Sequence, residues 1–121
     1  MFLILNYQKL DIYTASKKFV FDCYNLTRSF PMDEKFGMIS QIRRAALSVH
    51  LNVAEGASRK SEQERKRYYE ISRGSIVEID AALDVAIELG YLKNLDSKSL
   101  EISMVQCFKL LTGLIDSKLH H

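Results

Sequence analysis

Between positions 39 and 56 the hydrophobic residues recur with the period of a helix laid along other helices. Ile39, Ile42, Ala46, Val49, Val53 and Gly56 follow one another at spacings of 3, 4, 3, 4 and 3, which is the seam of a bundled α-helix. A second row, Gln41, Ala45, Ser48, Asn52 and Glu55, runs beside it at spacings of 4, 3, 4 and 3, mostly small or polar. Small side chains let backbones approach and polar ones set register, so this flank predicts a second packed neighbour for the same helix.

The same period extends over most of the chain. From Lys9 to Ser29, Ile12, Phe19, Cys23, Leu26 and Phe30 share a row with Ser16, with Tyr13, Val20 and Tyr24 alongside. Pro31 ends that helix, because the residue before a proline is pushed out of the α region. Met32 to Lys35 predicts a helical turn, and Gly56 predicts a left-handed cap closing the second helix. Ser61 and Glu64 form an S-x-x-E capping box that opens the third helix, Glu62 to Leu89. At 1.5 Å per residue this helix is about 42 Å long.

Tyr69, Ser72, Ile76, Ile79, Leu83, Ala86 and Gly90 keep heptad spacing along the third helix, with Ala82, Val85 and Ile87 widening the apolar face. Gly74, in its middle, costs about 1 kcal/mol against alanine, and followed by Ser75 it predicts a close neighbouring helix. Gly90 closes the helix in Schellman fashion, with Tyr91 and Leu92 folding back. Asp96 or Ser97 caps a fourth helix that runs to about Lys118, with Met104, Cys107, Leu111 and Leu114 on its apolar row and Val105, Phe108 and Ile115 beside them. Four helices with short connections predict an all-α, up-down-up-down four-helix bundle. It forms one domain over residues 9–119, behind an apolar leader at 1–8. The His120–His121 pair reads as a frayed end or an added tail.

Composition narrows the classes. One proline and five glycines in 121 residues leave few places to turn. The formal net charge of +2 does not by itself point to a polyanionic partner. Cys23 and Cys107 sit in apolar surroundings and read as reduced core residues. The leader lacks a basic start and a cleavage site, and no run reaches the length of a membrane span, so a cytoplasmic location with no membrane partner is expected.

The charges are nonetheless segregated. Eight cations against four acids between Gln41 and Arg73 give +4, and six acids against two lysines between Gly74 and Glu101 give −4. Arg43, Arg44, Arg59, Lys60, Arg65, Lys66 and Arg67 are therefore the candidate nucleic-acid-binding residues, through phosphate contacts. Arg65, Lys66 and Arg67 lie near a helix N-terminus, where the dipole disfavours cations and a bound phosphate would relieve them. The competing reading pairs these cations with Glu62, Glu64 and Glu70 on a solvated face. Tyr68 is a candidate for stacking on bases, whereas Tyr69 lies on the core row.

No catalytic or metal site is expected, and no cofactor. The chain lacks Glu-x-x-His pairs, zinc-spaced Cys/His clusters and a glycine-rich phosphate loop. Arg44 and His50 resemble the Arg-x4–6-His motif of a helical ribonuclease superfamily. Against it, Arg43 and His50 stand about 10.5 Å apart along the helix, and Ala45 follows Arg44 where that superfamily favours a polar residue.

Phe30-Pro31, the run Phe36 to Ala46 containing Ser-Gln-Ile-Arg-Arg-Ala-Ala, Asn52-Val53-Ala54-Glu55-Gly56, Gly74-Ser75 and Glu88 to Leu92 together resemble a bacterial four-helix-bundle family. Its members are encoded in intervening sequences of large-subunit ribosomal RNA genes. His50 stands where that family usually has proline, which predicts a straighter second helix, and the leader is extra. The resemblance implies a closed ring of identical subunits, a pentamer. It also implies a relation to the accessory protein of diversity-generating retroelements, which binds nucleic acid and a reverse transcriptase. A ring would cover the small, polar flank of the second helix with another copy and multiply the +4 zone. Two functions follow as expectations: a non-enzymatic homo-oligomer binding RNA or DNA, or a protein-interaction scaffold whose arginines organise the bundle and its subunit contacts.

Overall fold

A computed structural model describes residues 2–117. The expectations for Met1, for the helix end at Lys118, for the domain limit at 119 and for His120–His121 lie outside them. The described residues form four α-helices and no strand: α1 (Asp11–Thr27), α2 (Met38–Ala57), α3 (Glu62–Glu88) and α4 (Lys98–Asp116). Short 3-10 turns at Asn6–Lys9 and Met32–Glu34 precede α1 and α2. Each helix touches its two neighbours in an up-down-up-down bundle, and the α2–α3 contact is the most extensive. No helix among the described residues is long and apolar enough to cross a membrane.

The core is made by the expected rows. Ile12, Phe19, Cys23 and Leu26 of α1, Ile42, Ala46, Val49 and Val53 of α2, and Tyr69, Ile76, Ile79, Leu83 and Ala86 of α3 are all buried. On α4 the buried row is Leu100, Ser103, Cys107, Leu111 and Ile115, whereas Val105 and Phe108 are exposed, as are Val85 and Ile87 of α3. The apolar faces of α3 and α4 thus wrap further round than their own bundle uses. Both cysteines are free thiols in the core, and burial pushes each up to about 12, so they stay protonated.

The helix ends are largely as the sequence demands. Ser61 Oγ accepts the Glu64 N–H at 3.0 Å and caps α3. Gly90 takes a φ of 82°, with Tyr91 N–H donating to the Ala86 carbonyl and Gly90 N–H to that of Ile87, the two bonds of a Schellman close. Asp96 Oδ1 accepts the Lys98 N–H at the start of α4, while the N-cap Ser97 makes no side-chain capping bond. Glu34 accepts from the Met38 N–H and from the Tyr91 hydroxyl (3.1 and 2.8 Å), fastening the start of α2 to the α3–α4 connection. These two bonds hold its carboxyl below the ordinary glutamate value.

Three expectations are corrected. Gly56 is not a left-handed cap: α2 continues through it to Ala57, and it is buried where α2 and α3 come together. A Cβ there would lie 2.9 Å from the Tyr68 Cβ and 3.0 Å from the Tyr69 ring. Gly74, expected against a close helix, has nothing of its own chain within 4 Å of where a Cβ would be. The small, polar flank of α2 is met by α3 of the same chain, since Gln41 donates to Glu78 at 3.1 Å and Ser75 to Ser48 at 3.0 Å, and Ala45 is buried. That flank therefore needs no second copy to cover it.

Candidate nucleic-acid interface

The seven candidate cations fall into two groups. Arg59 and Lys60 lie in the short connection after α2, and Arg65, Lys66 and Arg67 in the first turns of α3. These five converge at the end of the bundle where α1 begins and α4 finishes. Arg65 and Lys66 share a recess of about 260 Å3 there with Leu10, Tyr69, Leu114 and Ile115. Arg43 and Arg44 sit near the other end of α2, about 24 Å from Arg59 along the helix.

The five are not equivalent. Arg59 Nη2 donates to Glu55 Oε2 at 2.7 Å and to the Tyr68 hydroxyl at 3.0 Å, and its guanidinium lies 4.9 Å from the Tyr68 ring centroid. Tyr68, and then Glu55, raise the Arg59 pKa further. The Tyr68 face that could have stacked on a base is covered by this arginine. Arg65 Nη1 donates to the carbonyls of Arg59 and Lys60 (2.9 and 2.7 Å), so it ties down the connection. Among the described residues the side chains of Lys60, Lys66 and Arg67 make no hydrogen bond or ion pair with protein, and Lys60 and Arg67 are exposed. The pairing of these cations with Glu62, Glu64 and Glu70 along the helix is not formed; the described ion pairs are Lys18–Asp22 and Arg59–Glu55.

Arg43 is committed to α1. Its Nε donates to Thr27 Oγ1 at 3.0 Å and its Nη2 to the Tyr24 carbonyl at 3.3 Å, with the guanidinium 4.6 Å from the Tyr24 ring centroid. It thereby satisfies a carbonyl of the last turn of α1, where basic side chains are favoured. Arg44 is exposed and unpaired among the described residues. The two arginines adjacent in sequence thus point to different places, and neither joins the cluster around Lys60.

His50 lies between α1 and α2, which run unbroken past it. Ser16 Oγ, fully buried, lies within hydrogen-bond distance of both the Tyr13 carbonyl (3.1 Å) and His50 Nδ1 (2.7 Å). The histidine ring packs 4.6 Å from the Tyr13 ring. Burial, and then Lys17, lower its pKa. The Arg-x-His spacing therefore separates into an outward Arg44 and a histidine bonded inside the bundle. Sequence reasoning missed the Arg59–Tyr68–Glu55 clamp: the i,i+4 spacing of Glu55 and Arg59 is a signal that could have found that pair, whereas the contact to Tyr68 crosses a turn and carries none. It also missed the Ser16–His50 bond, whose partners are 34 positions apart.

What this fold and surface define is an all-α, four-helix protein with unpaired cations gathered at one end. No group of three or more potential metal ligands occurs among the described residues. The chain belongs to the 23S rRNA-intervening sequence protein family, whose profile it matches over residues 8–113. No curated protein matches it significantly.

Proposed function

We propose that the protein is a non-enzymatic, self-assembling RNA- or DNA-binding module that takes the phosphate backbone on the α2–α3 end of its bundle. The observation that carries this reading is the set Lys60, Lys66 and Arg67, gathered around a connection braced by Arg59 and Arg65, with their side-chain charges left without protein partners among the described residues. Charged groups held unpaired on a rigid support are what phosphate recognition uses. Family membership is in keeping with it through the family's link to 23S rRNA intervening sequences. Copies assembled with these ends on one side present several such sets together, which raises avidity without new contacts.

A second reading keeps the bundle as a protein-interaction scaffold, and one observation favours it: Arg43, Arg59 and Arg65 spend their guanidinium groups on their own chain. Charge reversal separates the two. In K60E/K66E/R67E the binding module loses retention of a structured RNA in a low-salt filter assay while keeping its helix content and mass. Unchanged retention, or no retention by the wild type, rejects nucleic-acid binding and leaves the scaffold.

A further inference from the structure

The recess at the α2–α3 end holds a polar group that its own chain leaves unused. Tyr69 is 5% exposed and lines this recess of about 260 Å3, yet its hydroxyl has no hydrogen-bond partner among the described residues. The hydroxyl is not sealed in, because Arg59 Nε is the one side-chain polar atom among them that is both fully buried and unpartnered. It therefore opens into the recess. Gly56 sets the depth of the ring: a Cβ there would stand 3.0 Å from it, so a larger residue would push the tyrosine out. Burial raises the Tyr69 pKa, against the opposing effect of Arg65. The group offered at neutral pH is thus the phenol, able both to donate and to accept.

The rest of the lining selects what enters. Leu10, Leu114 and Ile115 give an apolar wall, and Ser117 Oγ is spent on the Leu114 carbonyl at 2.9 Å. Arg65, Lys66 and Glu62 line it from the start of α3, with no ion pair between them. A carboxylate in the lining opposes an anion inside the recess. Beside a phenol it suits a neutral ring that carries donors and acceptors on its edge. Negative charge on such a ligand is met outside, where Lys66 also lines the adjoining shallow surface together with Arg67.

We propose that the recess receives one unpaired nucleobase, its ring against the apolar wall and its edge bonded to the Tyr69 hydroxyl, while phosphates of the same strand lie on Lys66 and Arg67. This rests on the phosphate-binding reading above and adds what the nucleic acid must offer: a strand with an unpaired base gains a contact that a duplex does not. A paired base has its edge engaged and its faces stacked, so it reaches the recess only after leaving the helix. Phosphate contacts alone carry no such distinction. The base contact thereby falls to Tyr69, whose neighbour Tyr68 is covered by Arg59.

Fluorescence anisotropy at low salt tests it with three labelled probes: a short RNA single strand, the same strand annealed to its complement, and a strand of equal length and charge whose bases have been removed. The wild type should bind the intact strand about tenfold more tightly than the base-free one. Tyr69→Phe keeps the ring and removes only the hydroxyl. It should weaken the intact strand about three- to tenfold and leave the duplex and the base-free strand unchanged. Ser117→Trp, which fills the recess from its exposed rim, should abolish the advantage of the intact strand while keeping the helix content. Equal wild-type affinity for the intact and base-free strands overturns the base recess and leaves phosphate binding standing. So does an intact strand bound unchanged by either variant, or a Tyr69→Phe loss that is the same on all three probes. If none of the probes binds the wild type, the phosphate-binding reading falls and the recess with it.

Discussion

Gly56 and Gly74 illustrate how one residue type is used in two ways. Gly56 lies where the Tyr68 Cβ and the Tyr69 ring approach to about van der Waals contact with its backbone, so Gly56→Ala must push α3 away. Its expected cost is about 1–3 kcal/mol, read from the urea midpoint. Gly74 faces open space, so Gly74→Ala in the dilute, unassembled chain should gain about 0.5–1 kcal/mol from helix propensity alone. His50 gives the residue-scale pH dependence. Its folded pKa lies below the ordinary 6.5, because burial and Lys17 oppose the charged form. The unfolded chain therefore takes up the proton first. The stability this site contributes is complete above about pH 6.5 and is lost as pH falls through that value towards the folded pKa. Urea midpoints measured from pH 8 to 5 should fall over that window and flatten in His50→Gln; an unchanged slope in the variant would place the dependence elsewhere.

At the scale of elements, the rows of α1 and α2 and the seam of α3 were readable because each buries a face of constant period. The Ser61 cap and the Gly90 close were readable because a local backbone need selects a residue type at a fixed offset. Ser61→Ala should cost about 1 kcal/mol, seen as a lower thermal midpoint, since the Glu64 N–H loses its acceptor. What periodicity could not decide was which helix covers which flank. Gln41 and Ser48 carried the correct message of a close neighbour, but sequence does not distinguish α3 of the same chain from a copy. The same blindness leaves open what Val105 and Phe108, set beside the apolar row of α4, face: both are exposed. Amphipathicity reports how much of a helix is apolar, not whose surface it meets.

The candidate site was legible in the same partial way. Charge counting found the cations, and the capping box placed Arg65, Lys66 and Arg67 at the start of a helix. It could not tell that Arg43 reaches back to Tyr24 and Thr27, or that Arg59 is held between Glu55 and Tyr68. Apart from the i,i+4 pair of Glu55 and Arg59, those contacts cross turns and interfaces, so only the packed chain sorts bracing cations from unpaired ones.

For the whole molecule, these distinctions converge on a bundle whose α2–α3 end presents Lys60, Lys66 and Arg67 to a phosphate backbone. Neutralising phosphates releases condensed counterions, so affinity should fall with salt at a slope set by the number of contacts. Fluorescence anisotropy of a labelled structured RNA, titrated with the protein between about 50 and 200 mM salt, measures that slope directly. With about three phosphate contacts for each chain engaged, the logarithm of the affinity should fall against that of salt with a slope of about −2 to −3, steeper if several copies bind one RNA. No binding at the lowest salt, or an affinity indifferent to salt, would contradict the account.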